Sequence, residues 1–195
     1  VERSDDVLVV GPPALADMIR SDGFAFAQGG EPSEALIAPL RDRLTVASAA
    51  DASVIGNRDL FGRLAATAML HPLVGHARRF EPDLVLRDPC EYASAAFAAS
   101  SGVPMAQVAI SLAQIEWGSL NAAAPALDEL HAGLTTAIRH APYITRFPEP
   151  LDPSPFPTTI RCGESADADA DTDTDTDTDW WHGAAGPLVY ATLGT

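Results

Sequence analysis

One acidic residue stands where an α/β protein could use it for chemistry. Asp88 ends the segment 82–88 (PDLVLRD), whose apolar middle is typical of a buried parallel strand. Ligands of doubly wound α/β folds bind beyond the carboxyl ends of such strands, so a carboxylate there is a candidate site residue. The position equally favours an acid that caps the following helix, and the two roles are compatible.

Histidines are the side chains best able to move a proton near neutral pH. Two of them lie in a predicted helix that contains Pro72, two in a later helix, and one close to the carboxyl terminus. None follows a predicted strand, so we expect surface or packing roles for all five. They are His71, His76, His131, His140 and His182.

Motifs for phosphate and metal binding are incomplete. The turn 11–13 (GPP) lacks the second and third glycines of a dinucleotide fingerprint, and the sequence has no Lys for a phosphate-binding loop. Asp167, Asp169 and Asp171 alternate as in a calcium loop, but the Gly and Glu that such a loop needs further along are missing. Cys90 and Cys162 lack the spacing of metal ligands. We therefore predict no metal site and no bound cofactor.

The charge of the chain is concentrated in one short run. The formal net charge is −15 at pH 7, and Glu164 with the seven Asp between 167 and 179 supplies eight of the 27 acids. Without these eight the charge is −7, which is ordinary for a protein surface. The balance argues against nucleic acid or an anionic membrane as a partner. With neither an apolar span nor a signal-peptide pattern, we expect a cytoplasmic protein.

The remaining elements alternate between strand and helix. Strand (6–10), helix (14–21) and strand (24–27) within the first 30 residues predict a βαβ unit. The apolar spacing then predicts a helix over 60–80 that is kinked or split at Pro72. Further predictions are an Ala-rich helix over 91–101, a strand over 103–110, one helix over 119–140 and a strand over 143–147. The sequence thus predicts a doubly wound α/β fold with a parallel sheet.

Composition divides the chain into three parts. Residues 1–162 contain the alternating strands and helices, and 163–182 form an acidic low-complexity linker whose like charges repel one another. Residues 183–195 read as one further buried strand that ends in a glycine turn. Because a single strand is not a domain, we expect it to begin a domain that is missing here.

Three stretches resemble known enzymes. Residues 79–88 (RFEPDLVLRD) with Gly102-Val103-Pro104, residues 143–148 (YITRFP), and residues 187–195 (PLVYATLGT) occur in the order found in GT-B glycosyltransferases. The resemblance covers nearly the whole chain. It points to the branch of UDP-glycosyltransferase-like enzymes that glycosylates macrolides and other bacterial antibiotics. The chain would supply the Rossmann-like amino-terminal domain, which binds the acceptor.

The resemblance implies a reaction and a set of site residues. In this family a nucleotide-sugar, here a co-substrate rather than a cofactor, gives its sugar to an acceptor hydroxyl with inversion at the anomeric carbon. A His acts as general base and an Asp orients it, and Asp88 matches that Asp. Ser111, Gln114 and Trp117 would line the acceptor pocket, although Trp117 is equally suited to packing. Gly194 and Thr195 match the turn that approaches the donor phosphates, but they also suit an ordinary turn.

The sequence departs from the family at its beginning. The strand and turn that carry the general base precede the segment that begins here at Val7, so the usual first βα unit is absent from this sequence. Since that strand is central in a doubly wound sheet, we expect open edges on the strands at 6–10 and 83–88. This predicts a poorly soluble or loosely folded chain that is inactive as a fragment. The alternative is a non-catalytic small-molecule-binding or partner protein, and an unrelated flavodoxin-like domain is a more distant one.

Overall fold

The computed structural model describes residues 5–163. The predictions made for the acidic run beyond residue 163, for the strand at 183–195, for His182 and for Gly194 and Thr195 lie outside the described residues.

The first described elements are the predicted strand, helix and strand. β1 (Leu8–Gly11) leads through a 3-10 turn (Pro13–Leu15) into α1 (Ala16–Ser21), and β2 (Ala25–Gln28) pairs parallel to β1. The side chains of residues 8–10 are half-buried. Among the described residues, β2 is the one strand that pairs with β1, so the other edge of β1 is open, as expected.

A long helical region follows. It consists of α2 (Glu34–Val46), α3 (Ala49–Val54), a π-helical segment (Ile55–Ala65) and α4 (Ala66–Phe80). From residue 49 to residue 80 the backbone is helical without a break. Of the two outcomes predicted at Pro72, a kink or a split, the split is wrong. α4 continues through Pro72, because Met69 and Leu73 on either side of it are buried in the core and hold the helix in place.

One close approach anchors this helical region to the first unit. A Cβ added at Gly29 would clash with the Met69 side chain, and one added at Gly30 would clash with the Ala68 carbonyl group. The turn after β2 therefore needs glycine in order to pack directly against α4.

The remaining strands form a second sheet. β3 (Val85–Arg87), β4 (Met105–Val108), β5 (Tyr143–Thr145) and β6 (Thr159–Arg161) are all parallel and lie in that order. α5 (Ala93–Ser101) connects β3 to β4 and ends at Gly102, whose φ of 74° only glycine adopts readily. β3 is the edge strand on the side away from β6, as expected.

Two helices connect β4 to β5 where the sequence predicts one. α6 (Ala113–Leu130) begins six residues before the predicted helix, and α7 (Leu134–His140) is separate from it. The single helix over 119–140 is therefore wrong. The break occurs at His131–Gly133, because His131 is extended and Gly133 has a φ of 77°, a left-handed conformation that ends one helix and starts the next.

The two faces of the second sheet differ sharply. Arg87, Gln107, Tyr143 and Thr145 are buried on one face, and the main core lies there, with α5, α6 and α7 supplying most of its side chains. The opposite face leaves an aliphatic side chain exposed on each of three strands, namely Leu86, Val108 and Ile160. Leu84, just before β3, and Ile110, just after β4, are also exposed. A parallel sheet is normally covered on both faces, so this exposed sheet face is unusual.

Candidate functional site

Asp88 lies where the sequence predicts, immediately beyond the carboxyl end of β3. Its side chain is exposed, and its Oδ1 accepts a hydrogen bond of 2.7 Å from the backbone N–H of Cys90. This contact closes a local turn. Asp88 is thus held by its own loop while remaining accessible to a ligand.

The helix that follows β3 is capped by a different acid. Glu91 Oε1 accepts from the N–H of Ala93 at 2.8 Å, and Oε2 accepts from the N–H of Ser94 at 3.0 Å. These are free N–H groups of the first turn of α5, where a carboxylate is favourable. The alternative that Asp88 caps this helix is therefore wrong, because Glu91 occupies that role.

A buried arginine holds the loop from below. Arg87 donates to the carbonyl oxygens of Glu91 at 2.8 Å and Pro89 at 2.9 Å, and to the side chain of Gln107 on β4 at 3.2 Å. Burial lowers the pKa of Arg87. Its guanidinium group binds the chain at Pro89 and Glu91 and the side chain of Gln107 on β4, so Arg87 fixes the loop after Asp88 relative to the sheet.

The loop after β4 is organised by Glu116. Its Oε1 accepts from the backbone N–H groups of Ile110 at 2.8 Å and Ser111 at 2.6 Å. Its Oε2 is buried and makes no hydrogen bond among the described residues, while the nearby Tyr143 hydroxyl donates to the Ser111 carbonyl oxygen at 3.5 Å. A carboxylate in the first turn of α6 thereby determines the path of the chain where it leaves the sheet.

The surroundings of Glu116 oppose its ionisation. Burial raises its pKa, the neighbouring backbone N–H groups and Tyr143 lower it, and the Asp88 carboxylate adds a repulsion that raises it again. The net direction is upward.

The loop after β5 closes this edge of the sheet. Both carboxylate oxygens of Asp152 accept from the backbone N–H of Ala113, at 3.0 and 3.1 Å, at the start of α6. Arg161 on β6 donates to the carbonyl oxygen of Asp152 at 2.9 Å. The loop is thus fixed to both α6 and β6.

Four carboxylates at the carboxyl edge of this sheet each accept hydrogen bonds from backbone N–H groups. We call Asp88, Glu91, Glu116 and Asp152 the carboxyl-edge acids. Glu116 and Asp152 are buried, Glu91 is half-buried, and Asp88 is exposed. These contacts fix the loops to the sheet and its helices, and Asp88 is the exposed member of the four.

The three predicted acceptor residues occupy different surroundings. Ser111 is half-buried at the end of β4, and Gln114 is exposed on the first turn of α6. Trp117 lies one turn later, with its ring edge-on to Phe156 at 5.1 Å and beneath the Arg139 guanidinium at 5.4 Å. Trp117 thus makes packing contacts on both sides of its ring. Ser111 and Gln114 follow β4, the strand that pairs with β3.

The described histidines make local contacts. His76 Nε2 bonds the carbonyl oxygen of Gln28 at 3.0 Å, and His140 Nδ1 bonds that of Thr136 at 2.8 Å. His71 is exposed on α4, and His131 is half-buried after α6. The expectation of surface and packing roles agrees with these positions.

Both cysteines are free thiols. Cys90 is half-buried in the Asp88 turn, and Cys162 is exposed after β6. Burial and the nearby Asp88 carboxylate raise the pKa of Cys90 to about 11, so its thiol stays protonated at neutral pH. Across residues 5–163, no group of three or more His, Cys, Asp and Glu side chains could hold a metal ion, and no helix is long and apolar enough to cross a membrane.

Sequence reasoning missed Glu116, Arg87 and Asp152. Glu116 could have been found, because an acid in the first turn after a strand-to-helix loop commonly binds backbone N–H groups. Arg87 and Asp152 gave no local signal. Their partners lie on other strands and helices, so their roles depend on the tertiary fold.

Comparison with solved structures identifies the architecture. The chain superimposes on a Streptomyces sp. SF2575 glycosyltransferase, SsfS6, with a TM-score of 0.56 and 23% identity over 75% of this chain. The glycosyltransferase of kitacinnamycin gives 0.54 at 13% over 81%, and the glycosyltransferase VinC in complex with dTDP gives 0.53 at 20% over 78%. The chain has the fold of a GT-B glycosyltransferase. The predicted resemblance and the α/β fold class are confirmed at the level of the fold.

The chain matches less than half of the length of each of those enzymes. The matched region spans 43% of the SsfS6 chain, 43% of the kitacinnamycin enzyme and 45% of VinC. No protein-family model and no curated protein sequence matches the chain.

Proposed function

We propose that this chain is the acceptor-binding portion of an inverting glycosyltransferase. The parent enzyme moves a sugar from a nucleotide-sugar to a hydroxyl group of a natural-product acceptor, such as a polyketide. One observation carries the proposal: in a glycosyltransferase fold, the exposed carboxylate of Asp88 stands at the carboxyl end of a parallel strand, the edge where α/β folds bind ligands. A cytoplasmic location is part of the proposal.

Asp88 acts in this proposal on a histidine base. The base takes the proton from the acceptor hydroxyl as that oxygen attacks the anomeric carbon, and the carboxylate orients the imidazole and stabilises its positive form. The turn closed by Cys90 N–H and the buried Arg87 beneath it hold the carboxylate still, which suits an orienting role. His76 lies on α4 and His140 on α7, and each bonds a backbone carbonyl oxygen near its own helix rather than the Asp88 carboxylate.

The acceptor would lie over the end of β4. In the proposal Ser111, Gln114 and Trp117 line that position, and Trp117 is held by its ring contact with Phe156. Gly194 and Thr195 would approach the donor phosphates in a donor-binding domain that follows. VinC was solved with dTDP, so a thymidine nucleotide-sugar is the donor class to try first. The fragment alone would be inactive.

A non-catalytic binding protein is the second candidate. It is favoured by the positions of the described histidines, which lie on helices or directly after one rather than at the end of a strand. Such a protein would keep the acceptor surface and perform no transfer. In-frame stop codons on both sides of this coding sequence would favour it, and an adjoining nucleotide-sugar domain would favour the enzyme.

The test is transfer by the protein made from the reading frame extended on both sides. Sugar transfer from a panel of nucleotide-sugars to polyketide acceptors is measured for the wild type and for Asp88→Asn. The asparagine keeps an oxygen that can accept from Cys90 N–H, so the turn survives while the charge is lost. We expect turnover in the wild type and its near-loss in the variant. Unchanged turnover in the variant would remove Asp88 from the mechanism.

A further inference from the structure

A cavity of about 440 Å³ lies between α2 and the π-helical segment, apart from the carboxyl-edge acids. Its volume falls within the range of small-molecule sites. Leu36, Pro39, Leu40 and Leu64 form its apolar walls, and its polar lining consists of Arg43, Arg58, Asp59 and Arg63.

Three arginines converge on the one acid of this cavity. Asp59 is buried, and its carboxylate is 3.0 Å from Arg43, 2.7 Å from Arg58 and 3.6 Å from Arg63. Arg63 also reaches Glu129 at 2.6 Å outside the lining. The lining therefore carries two positive charges in excess of its acid, and one remains when Glu129 is counted. This sign is opposite to the net charge of the chain, −15.

The arginines are held in place and still able to bind. Arg58 donates two hydrogen bonds to the Asp59 carboxylate, from Nε at 2.7 Å and from Nη2 at 3.2 Å. Each guanidinium has five N–H donors, more than Asp59 engages. The three side chains are between 36% and 52% exposed, so their remaining donors face the open cavity and solvent.

We propose that this cavity binds a small organic anion with an apolar body, such as a medium-chain carboxylate. Arg43 and Arg63 receive the carboxylate, because Asp59 engages each of them through a single contact. The carbon chain lies against the leucines and Pro39. Asp59 already holds the three arginines in place, so the arginine side chains lose little conformational entropy when the anion binds. The site shares no residue with the proposed acceptor surface and does not depend on it.

Titration calorimetry of the whole chain with octanoate tests this proposal. We expect saturable binding at one site, a tenfold or greater weakening with neutral 1-octanol, and loss of affinity at high salt. Arg43→Gln should weaken octanoate binding at least tenfold. The matched control is Arg41→Gln: Arg41 is on the same helix, pairs with Glu34 at 2.8 Å and does not line the cavity.

Three results would overturn the proposal. They are octanol binding as tightly as octanoate, equal octanoate affinity in wild type and Arg43→Gln, and no saturable octanoate binding by a wild type whose circular dichroism shows the folded state. An Arg43→Gln variant that fails to fold is replaced by Arg63→Gln, which must show the same weakening.

Discussion

The carboxylate of Asp88 and the backbone N–H of Cys90 are joined by a hydrogen bond of 2.7 Å. The bond fixes a carboxylate at the open end of β3 without burying it. The other carboxyl-edge acids bind backbone N–H groups from buried or half-buried positions. Asp88 thus differs from the other three acids in being exposed. Any chemistry at this edge of the sheet should therefore depend on the Asp88 carboxylate.

Replacing Asp88 with Asn should remove its charge and lower turnover while leaving the turn and the stability of the fold nearly unchanged. Asp88→Asn preserves the acceptor for Cys90 N–H, so the free energy of unfolding should change by less than about 0.5 kcal/mol. In the extended protein, turnover should fall by about 100-fold or more, the scale of general-base catalysis. Urea unfolding and steady-state transfer rates measure the two effects. Asp88→Ala is the comparison, since it loses both the charge and the turn contact.

Glu116 should make the free energy of unfolding fall as the pH rises, which is the opposite of what most carboxyl groups do. Its pKa in the folded protein is raised, chiefly by burial, so the folded state holds this proton more tightly than the unfolded chain does. Stability from this group is present below the ordinary pKa of Glu and is lost as the pH rises through the raised value. Glu116→Gln should therefore gain stability relative to wild type between pH 4 and pH 8. A relative loss over that interval, measured by urea unfolding, would contradict the assignment.

The two thiols should react at very different rates. With a pKa of about 11, Cys90 is ionised to about one part in a thousand at pH 8, and it is also half-buried. Cys162 is exposed. We expect iodoacetamide to alkylate Cys162 at least tenfold faster in the folded chain, followed by peptide mass spectrometry. Urea should abolish the difference, and equal native rates would show that the Asp88 turn is open.

The exposed sheet face should tolerate charge. Leu86→Lys removes an apolar side chain that is 61% exposed, so it should change stability by no more than about 0.5 kcal/mol while raising solubility. Leu120→Ala is the contrasting variant, because Leu120 is 2% exposed and its truncation should cost about 2–5 kcal/mol. Light scattering and thermal unfolding measure both properties. Strong destabilisation by Leu86→Lys would mean that this face is covered in solution.

Local patterns predicted most of the elements and one part of the site. The apolar run around Val85 and the small-residue helix before Gly102 were enough to place a strand, a helix and Asp88 at their junction. The break at Gly133 was missed, since an apolar period spans it and only the left-handed backbone interrupts the helix. Glu91 was not distinguished from Asp88 as the cap, because both acids precede the same helix. The three arginines around Asp59 come from two helices, and only tertiary structure brings them together.

The most direct test of the account is to titrate the chain with an acceptor and, separately, with a nucleotide. A macrolide aglycone and dTDP are added to isotope-labelled protein, and the backbone amide resonances are followed. We expect saturable shifts at Asp88, Ser111 and Gln114 with the aglycone and none in residues 5–163 with dTDP. Saturation of those residues by dTDP, with no response to any acceptor in a polyketide panel, would contradict it.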